Sequence, residues 1–200
     1  MNEYIIRRIH GKPDWSQLPT LEVSNVVWVP DAGIRMTQQV CYDDEALYVH
    51  QRATEKHIRA EYTEPLSPVC QDSCMEFFFS PYEENLRYLN FEINPNGCIH
   101  LGLCQHRHNA VRLVPSNYKE LFDIHTNRTE DGWEVFYKIP VTFIQLVNPA
   151  FTLNSGRIIP ANCYKCGDLT VQEHYVTWNP MDTEIPDYHR PCDFGRMILE

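Results

Sequence analysis

The sequence predicts an all-β fold: a single antiparallel β-sandwich, jelly-roll or immunoglobulin-like, spanning residues 1–200. Three observations carry that prediction. Short β-type runs recur along the chain with turn signals between them. Aromatic residues make up 12% of it, including 11 Tyr and 4 Trp, enough rings to fill an inter-sheet core or line a binding face. The 14 Pro leave few stretches with helical period. At 200 residues the chain is long enough for one domain with a normal core.

Taken in order, residues 4–9 alternate weakly and read as the first strand. Residues 37–42 and 46–51 flank Asp43-Asp44-Glu45, which reads as a hairpin loop. Residues 57–62 read as the next strand. Residues 74–80, CMEFFFS, are strongly strand-like, and residues 88–93 lead into the turn NPNG, where Gly97 is available for positive φ. Residues 98–103 then return as its hairpin partner. Residues 133–139 follow the turn EDG and stop at Pro140, and residues 141–146 read as a single helical turn. Residues 158–164, 174–178 and 196–199 complete the set. About ten short strands at this spacing fit a sandwich.

Alternation assigns faces. Leu89, Phe91 and Ile93 share one side of their strand; Tyr88, Asn90, Glu92 and Asn94 share the other. Met75, Phe77 and Phe79 oppose Cys74, Glu76 and Phe78 in the same way. Glu76 and Glu92 are therefore expected to project from one side of the same sheet, with Asn90 and Asn94 flanking them. A polar row with a ring nearby suits sugar: planar groups bond vicinal hydroxyls, and aromatic faces stack on the C–H side of a pyranose.

Charge narrows the partners. A net charge of -10 argues against a nucleic-acid backbone or an anionic membrane surface. Arg7 and Arg8 interrupt the only apolar run near the N-terminus, and nothing approaches a transmembrane span. The expected location is the cytosol, with the 8 Cys as thiols and the Asn127-Arg128-Thr129 sequon without meaning there. Free sheet edges leave a homodimer possible.

Six motifs, QDSCMEFFFSP, YLNFEINPNG, GWEVFYKIP, CYKCGD, YVTWNP and PDYHRPCDFGRMIL, stand in the order seen in family-9 carbohydrate-binding modules and their stand-alone bacterial relatives. From about Gln39 onward the chain resembles that family. The resemblance implies a β-sandwich that grips a terminal sugar between two aromatic rings, with acidic, amide and arginine side chains on its hydroxyls; some members also hold calcium structurally. On this resemblance Glu76, Glu92 and Asn94 match polar site positions, and Tyr188 matches the second clamp ring. Two positions depart from the pattern. Val69-Cys70 stands where the first clamp tryptophan is expected, and Glu92 stands at the arginine position.

Each feature has a plainer reading beside it. Tyr188, His189 and Arg190, rigidified by Pro186 and Pro191, form a ligand-edge loop, or Tyr188 covers a core edge while Arg190 pairs with an acid. Glu76 and Glu92 are acceptors for hydroxyls, an acid–base pair, calcium ligands, or a solvated strand face. Cys163-Tyr164-Lys165-Cys166 is a C-x-x-C motif without a second one; it reads as a strand whose Tyr164 and Lys165 help line the sheet. Cys98, His100, Cys104, His106 and His108 offer metal-ligating types, but a structural zinc needs four convergent ligands. Trp178 is a ligand platform or a core ring, Trp133 and Trp28 read as core, and Trp15 lies in a loop.

The leading expectation is a non-catalytic β-sandwich that binds a carbohydrate or similar polyol through Glu76, Glu92, Asn90, Asn94, Tyr188, His189, Arg190, Trp178 and Lys165, without a resident cofactor unless calcium is held. The alternatives are a small glycan-processing enzyme using Glu76 and Glu92, and a metal- or haem-binding sandwich.

Overall fold

In a computed structural model describing residues 1–83 and 85–200, the strands are β1 (Glu3–Arg8), β2 (Leu21–Val23), β3 (Asn25–Val26), β4 (Arg35–Tyr42), β5 (Ala46–Thr54), β6 (Cys74–Phe79) and β7 (Tyr88–Ile93). They continue as β8 (Ile99–His106), β9 (Asn109–Arg112), β10 (His125–Arg128), β11 (Gly132–Pro140), β12 (Ile158–Gly167), β13 (His174–Thr177) and β14 (Gly195–Leu199). Two short helices, α1 (Tyr118–Phe122) and α2 (Val141–Ile144), flank the β10–β11 pair in sequence.

One sheet runs β9-β8-β7-β6-β12-β14, with β13 beside the far half of β12 and β3 beyond it. The other runs β10-β11-β5-β4, with β2 on β4. Strand β1 belongs to both. Its first four residues pair with β14 and its last two with β4, parallel in each case. The remaining ladders are antiparallel, as the sequence predicts. No hairpin ties β1 to either neighbour, so nothing forces an antiparallel direction on it.

The inner faces meet as expected. Met75, Phe77, Phe79, Leu89, Phe91 and Ile93 are buried against Val49, Trp133, Val135 and Ile139 of the facing sheet. Full burial contributes roughly 1.5–3 kcal/mol for each large apolar side chain. Trp178 joins this core.

The outer face of the first sheet removes the plainer reading of Glu76 and Glu92 as a solvated strand face. Cys74, Phe78, Tyr88, Tyr164 and Cys166 lie in a second apolar cluster, roofed by Tyr175, Tyr188, Phe194 and residues 27–29. Strands β6 and β7 are thus buried on both faces, and Glu76 and Glu92 are only 3% and 7% exposed.

Residues 57–62 are not a strand. The buried Asp72 carboxylate accepts the backbone N–H groups of Glu61 and Tyr62, both at 3.0 Å, and pairs with Arg59. Those N–H groups are satisfied by a side chain and need no neighbouring strand. Strands β2, β3, β9 and β10 and helix α1 were not legible in the sequence; they are short and lack a clean period.

Candidate functional site

Strand register builds a polar row across the roofed face. Tyr164 on β12, Glu76 on β6, Glu92 on β7 and His100 on β8 stand directly opposite one another in sequence of strands. Opposed residues of antiparallel strands point to the same face. A cavity of about 390 Å³ opens over Glu76, Glu92 and His100, within the ~300–1,000 Å³ range of small-molecule sites.

Three rings wall it: Trp28, Tyr175 and Tyr188. Trp28 packs edge-on to Tyr175 at 5.4 Å and tilted on Tyr188 at 5.2 Å, and its Nε1–H donates to the Thr183 carbonyl at 2.8 Å. It holds φ 64°, a left-handed conformation costly for a bulky residue. Tyr188 lies flat on Tyr164, centroids 4.1 Å apart, and its hydroxyl donates to the carbonyls of Lys165 and Val176. The polar end of Tyr188 is therefore engaged by backbone and one face of its ring by Tyr164; the cavity meets what is left of the ring.

Two guanidinium groups come from the β8–β9 hairpin. Arg107 bonds Asp187 at 3.2 Å and the Pro186 carbonyl at 2.8 Å, tying residues 186–189 over the cavity. Arg112 stands opposite Gly102. A Cβ at position 102 would meet Arg112 Nη1 at 3.3 Å and the Val111 carbonyl at 2.7 Å, so the missing side chain leaves Arg112 its place.

The electrostatics follow from burial. Desolvation pushes the Glu76 carboxyl well above the usual range and the neighbouring Glu92 charge pushes it further, while the Cys166 thiol, 3.0 Å from Glu76 Oε1, pulls back. Burial also raises Glu92, against the stabilising His100 ring and the Asn90 amide at 2.6 Å. Two adjacent carboxyls that hold protons this tightly offer a ligand both donors and acceptors. Burial, helped by Arg107, lowers His189 to about 4, so its ring is neutral at pH 7. Its Nδ1 is hydrogen-bonded to the Tyr88 hydroxyl at 2.7 Å.

The structure brings Tyr188, Glu76, Glu92 and His189 together at this cavity. It places the other expected residues elsewhere. Asn90 sits below the floor, accepting the Gly102 N–H and orienting Glu92. Asn94 shapes the NPNG turn: its Oδ1 accepts the N–H groups of Asn96 and Cys98, and its amide donates to Asp72. Arg190 turns away to Asp193 at 2.6 Å. Trp178 is core. Lys165 faces the opposite side of β12 and is fully buried, 3.1 Å from Glu55 and 2.7 Å from His174 Nε2. The reason for Lys165 is period two: it neighbours Tyr164 and Cys166, so it must point away from them.

Trp28, Tyr175, His100, Arg107 and Arg112 line the cavity and were not singled out from the sequence as candidate site residues. His100 had a signal, since extending the register by one strand lands on it. Trp28 read as core because nothing local marks the half-buried loop it occupies. Of Val69-Cys70, Val69 is buried and Cys70 reaches the cavity wall.

The metal-ligating motifs sort by the same rule. Cys163 points into the inter-sheet core and Cys166 into the outer cluster, so the C-x-x-C pair cannot chelate. Cys104, His106 and His108 do not converge; among the described residues, Cys74, Glu76 and Cys166 are the one such group, their ligand atoms within 4.8 Å of each other. Calcium takes six to eight oxygens, and two sulfurs of three donors do not fit it.

The fold and sequence are similar to known proteins. A chain from Bacteroides uniformis, described as a candidate carbohydrate-binding protein, aligns with TM-score 0.85 and 21% identity over 99% of each chain. A family 9 carbohydrate-binding module from Caldicellulosiruptor kristjanssonii in complex with cellotriose aligns with TM-score 0.69 and 13% identity, over 100% of this chain and 94% of that one. A module of the same family and organism in complex with glucose gives 0.71 and 14%, over 100% and 96%. At these identities the likeness is one of fold. No curated protein matches the sequence. The family model of carbohydrate-binding family 9 matches residues 9–199, and with nearly the whole chain covered, the protein belongs to that family.

Proposed function

We propose that the protein binds carbohydrate, without catalysis, in the cavity above Glu76 and Glu92. The observation that carries this reading is the composition of one enclosure: rings of Trp28, Tyr175 and Tyr188 beside carboxyl, imidazole and guanidinium groups. Apolar walls suit the C–H face of a sugar, and convergent polar groups suit its hydroxyls. Family membership and the cellotriose and glucose complexes of the modules it resembles support the same ligand class.

The position of the two carboxyls favours binding over hydrolysis. Acid and base in glycoside cleavage flank the scissile bond. Glu76 and Glu92 are neighbours on the floor, on one side of any ligand. A cytosolic setting is part of the proposal, and eight free thiols accord with a reducing compartment.

The test is titration calorimetry of the full chain with glucose, cellotriose and a wider panel of sugars. Saturable heat that is lost in Glu92→Gln supports the reading. Absence of heat with every sugar refutes it, and release of reducing sugar from a glycoside panel would replace it with an enzyme.

A further inference from the structure

Behind the cavity floor, Cys74 and Cys166 stand directly opposite each other on β6 and β12, and Glu76 is two residues along β6 on the same face. Their ligand atoms lie within 4.8 Å of one another and all three residues are buried. Glu76 and Cys166 also line the cavity.

We propose that Cys74 Sγ, Cys166 Sγ and a Glu76 carboxylate oxygen form a site for a thiophilic divalent cation, zinc in the first instance, with the fourth position open to the cavity. Two thiolates and one carboxylate are a zinc donor set, and zinc sites with three protein ligands keep the fourth position for water or another small ligand. Cross-strand pairing holds the two sulfurs by backbone register, and the site needs no loop closure. Cys192, which is exposed and not one of the three, gives the contrast.

The proton balance is simple. A dication displaces one proton from each thiol, and one from Glu76 where that carboxyl is protonated; the protons pass to solvent. Two thiolates, a carboxylate and the dication leave a single negative charge, in a cavity that Arg107 and Arg112 also line. The site stands independently of the carbohydrate reading, because metal uptake is measured on the protein alone.

The experiment adds Cd²⁺ to the reduced full-length chain and follows the thiolate-to-cadmium absorbance, with Zn²⁺ as competitor. The expected result is saturation at one equivalent, displacement by Zn²⁺, and an affinity at least ~100-fold weaker in Cys166→Ser, since losing a ligand should exceed the 10–100-fold cost of losing an outer-shell partner. Cys192→Ser should bind as the parent does. Glu76→Gln, which keeps the side chain's size, replaces Cys166→Ser if that variant does not fold. No band at one equivalent in the parent, or equal affinity in these variants, overturns the site.

Discussion

Glu76 and Glu92 face each other across β6 and β7 as direct cross-strand neighbours, both buried, with no cation between them in the ladder. Like charges directly opposite in a sheet destabilise it, and here burial adds to the cost. The folded state answers by holding protons on the pair.

That has a measurable sign. Both carboxyls are raised above 4.5 in the folded state, so the fold binds more protons than the unfolded chain at intermediate pH. Their contribution is fully present below about 4.5 and lost as pH rises through the folded values. Thermal unfolding at a series of pH values should show this alkaline decline, and Glu76→Gln should flatten it. An unchanged slope in the variant would refute the assignment.

His174 works in the opposite direction. Burial, then the Lys165 ammonium, lowers it from 6.5 to about 4. Lys165 donates to His174 Nε2 and the ring's Nδ1 bonds the Gln172 carbonyl, which requires the neutral ring. Its contribution is present above 6.5 and lost as pH falls through 4, on the order of 3 kcal/mol in all. Denaturant unfolding between pH 7 and 4 should show that loss, reduced in His174→Asn.

Lys165 is structural in this arrangement, and its replacement separates stability from binding. Lys165→Met leaves Glu55 buried with His174, Ser73 and Trp133 as its side-chain partners among the described residues. Breaking such a pair costs about 3–5 kcal/mol. Unfolding should register that loss, while calorimetry on the folded variant should return the parent's sugar affinity within about twofold.

Trp28 combines a cavity ring with a strained backbone. Trp28→Ala and Trp28→Gly should both weaken sugar binding by tenfold or more, about 1.4 kcal/mol. Gly tolerates φ 64° and Ala does not, so the Gly variant should be the more stable of the two by about 1 kcal/mol. Equal stabilities would show that the left-handed conformation carries no strain.

Gly102 gives a test through space. In Gly102→Ala the new methyl meets the Val111 carbonyl and Arg112, so the β8–β9 hairpin must shift. Stability should fall by roughly 1–3 kcal/mol. Sugar affinity should fall with it, because Arg107 and Arg112 both ride on that hairpin. Retained affinity would place the ligand away from them.

Period two in residues 74–80 and 88–93 was enough to separate the inter-sheet core from Glu76 and Glu92 and to predict that they share a face. Ordered motifs named the family, and their spacing pointed to Tyr188. Alternation is a local rule that reaches along a strand and, through a short turn, to its hairpin partner. It therefore could not say what covers the second face. The roof comes from residues 27–29 and from Tyr175 and Tyr188, segments some 150 residues apart with no period to read. Only their packing turned an outward polar row into a cavity floor. The same packing raised the two carboxyls, kept Asn90, Asn94, Arg190 and Trp178 from the cavity, and brought Trp28, Tyr175, Arg107 and Arg112 to it.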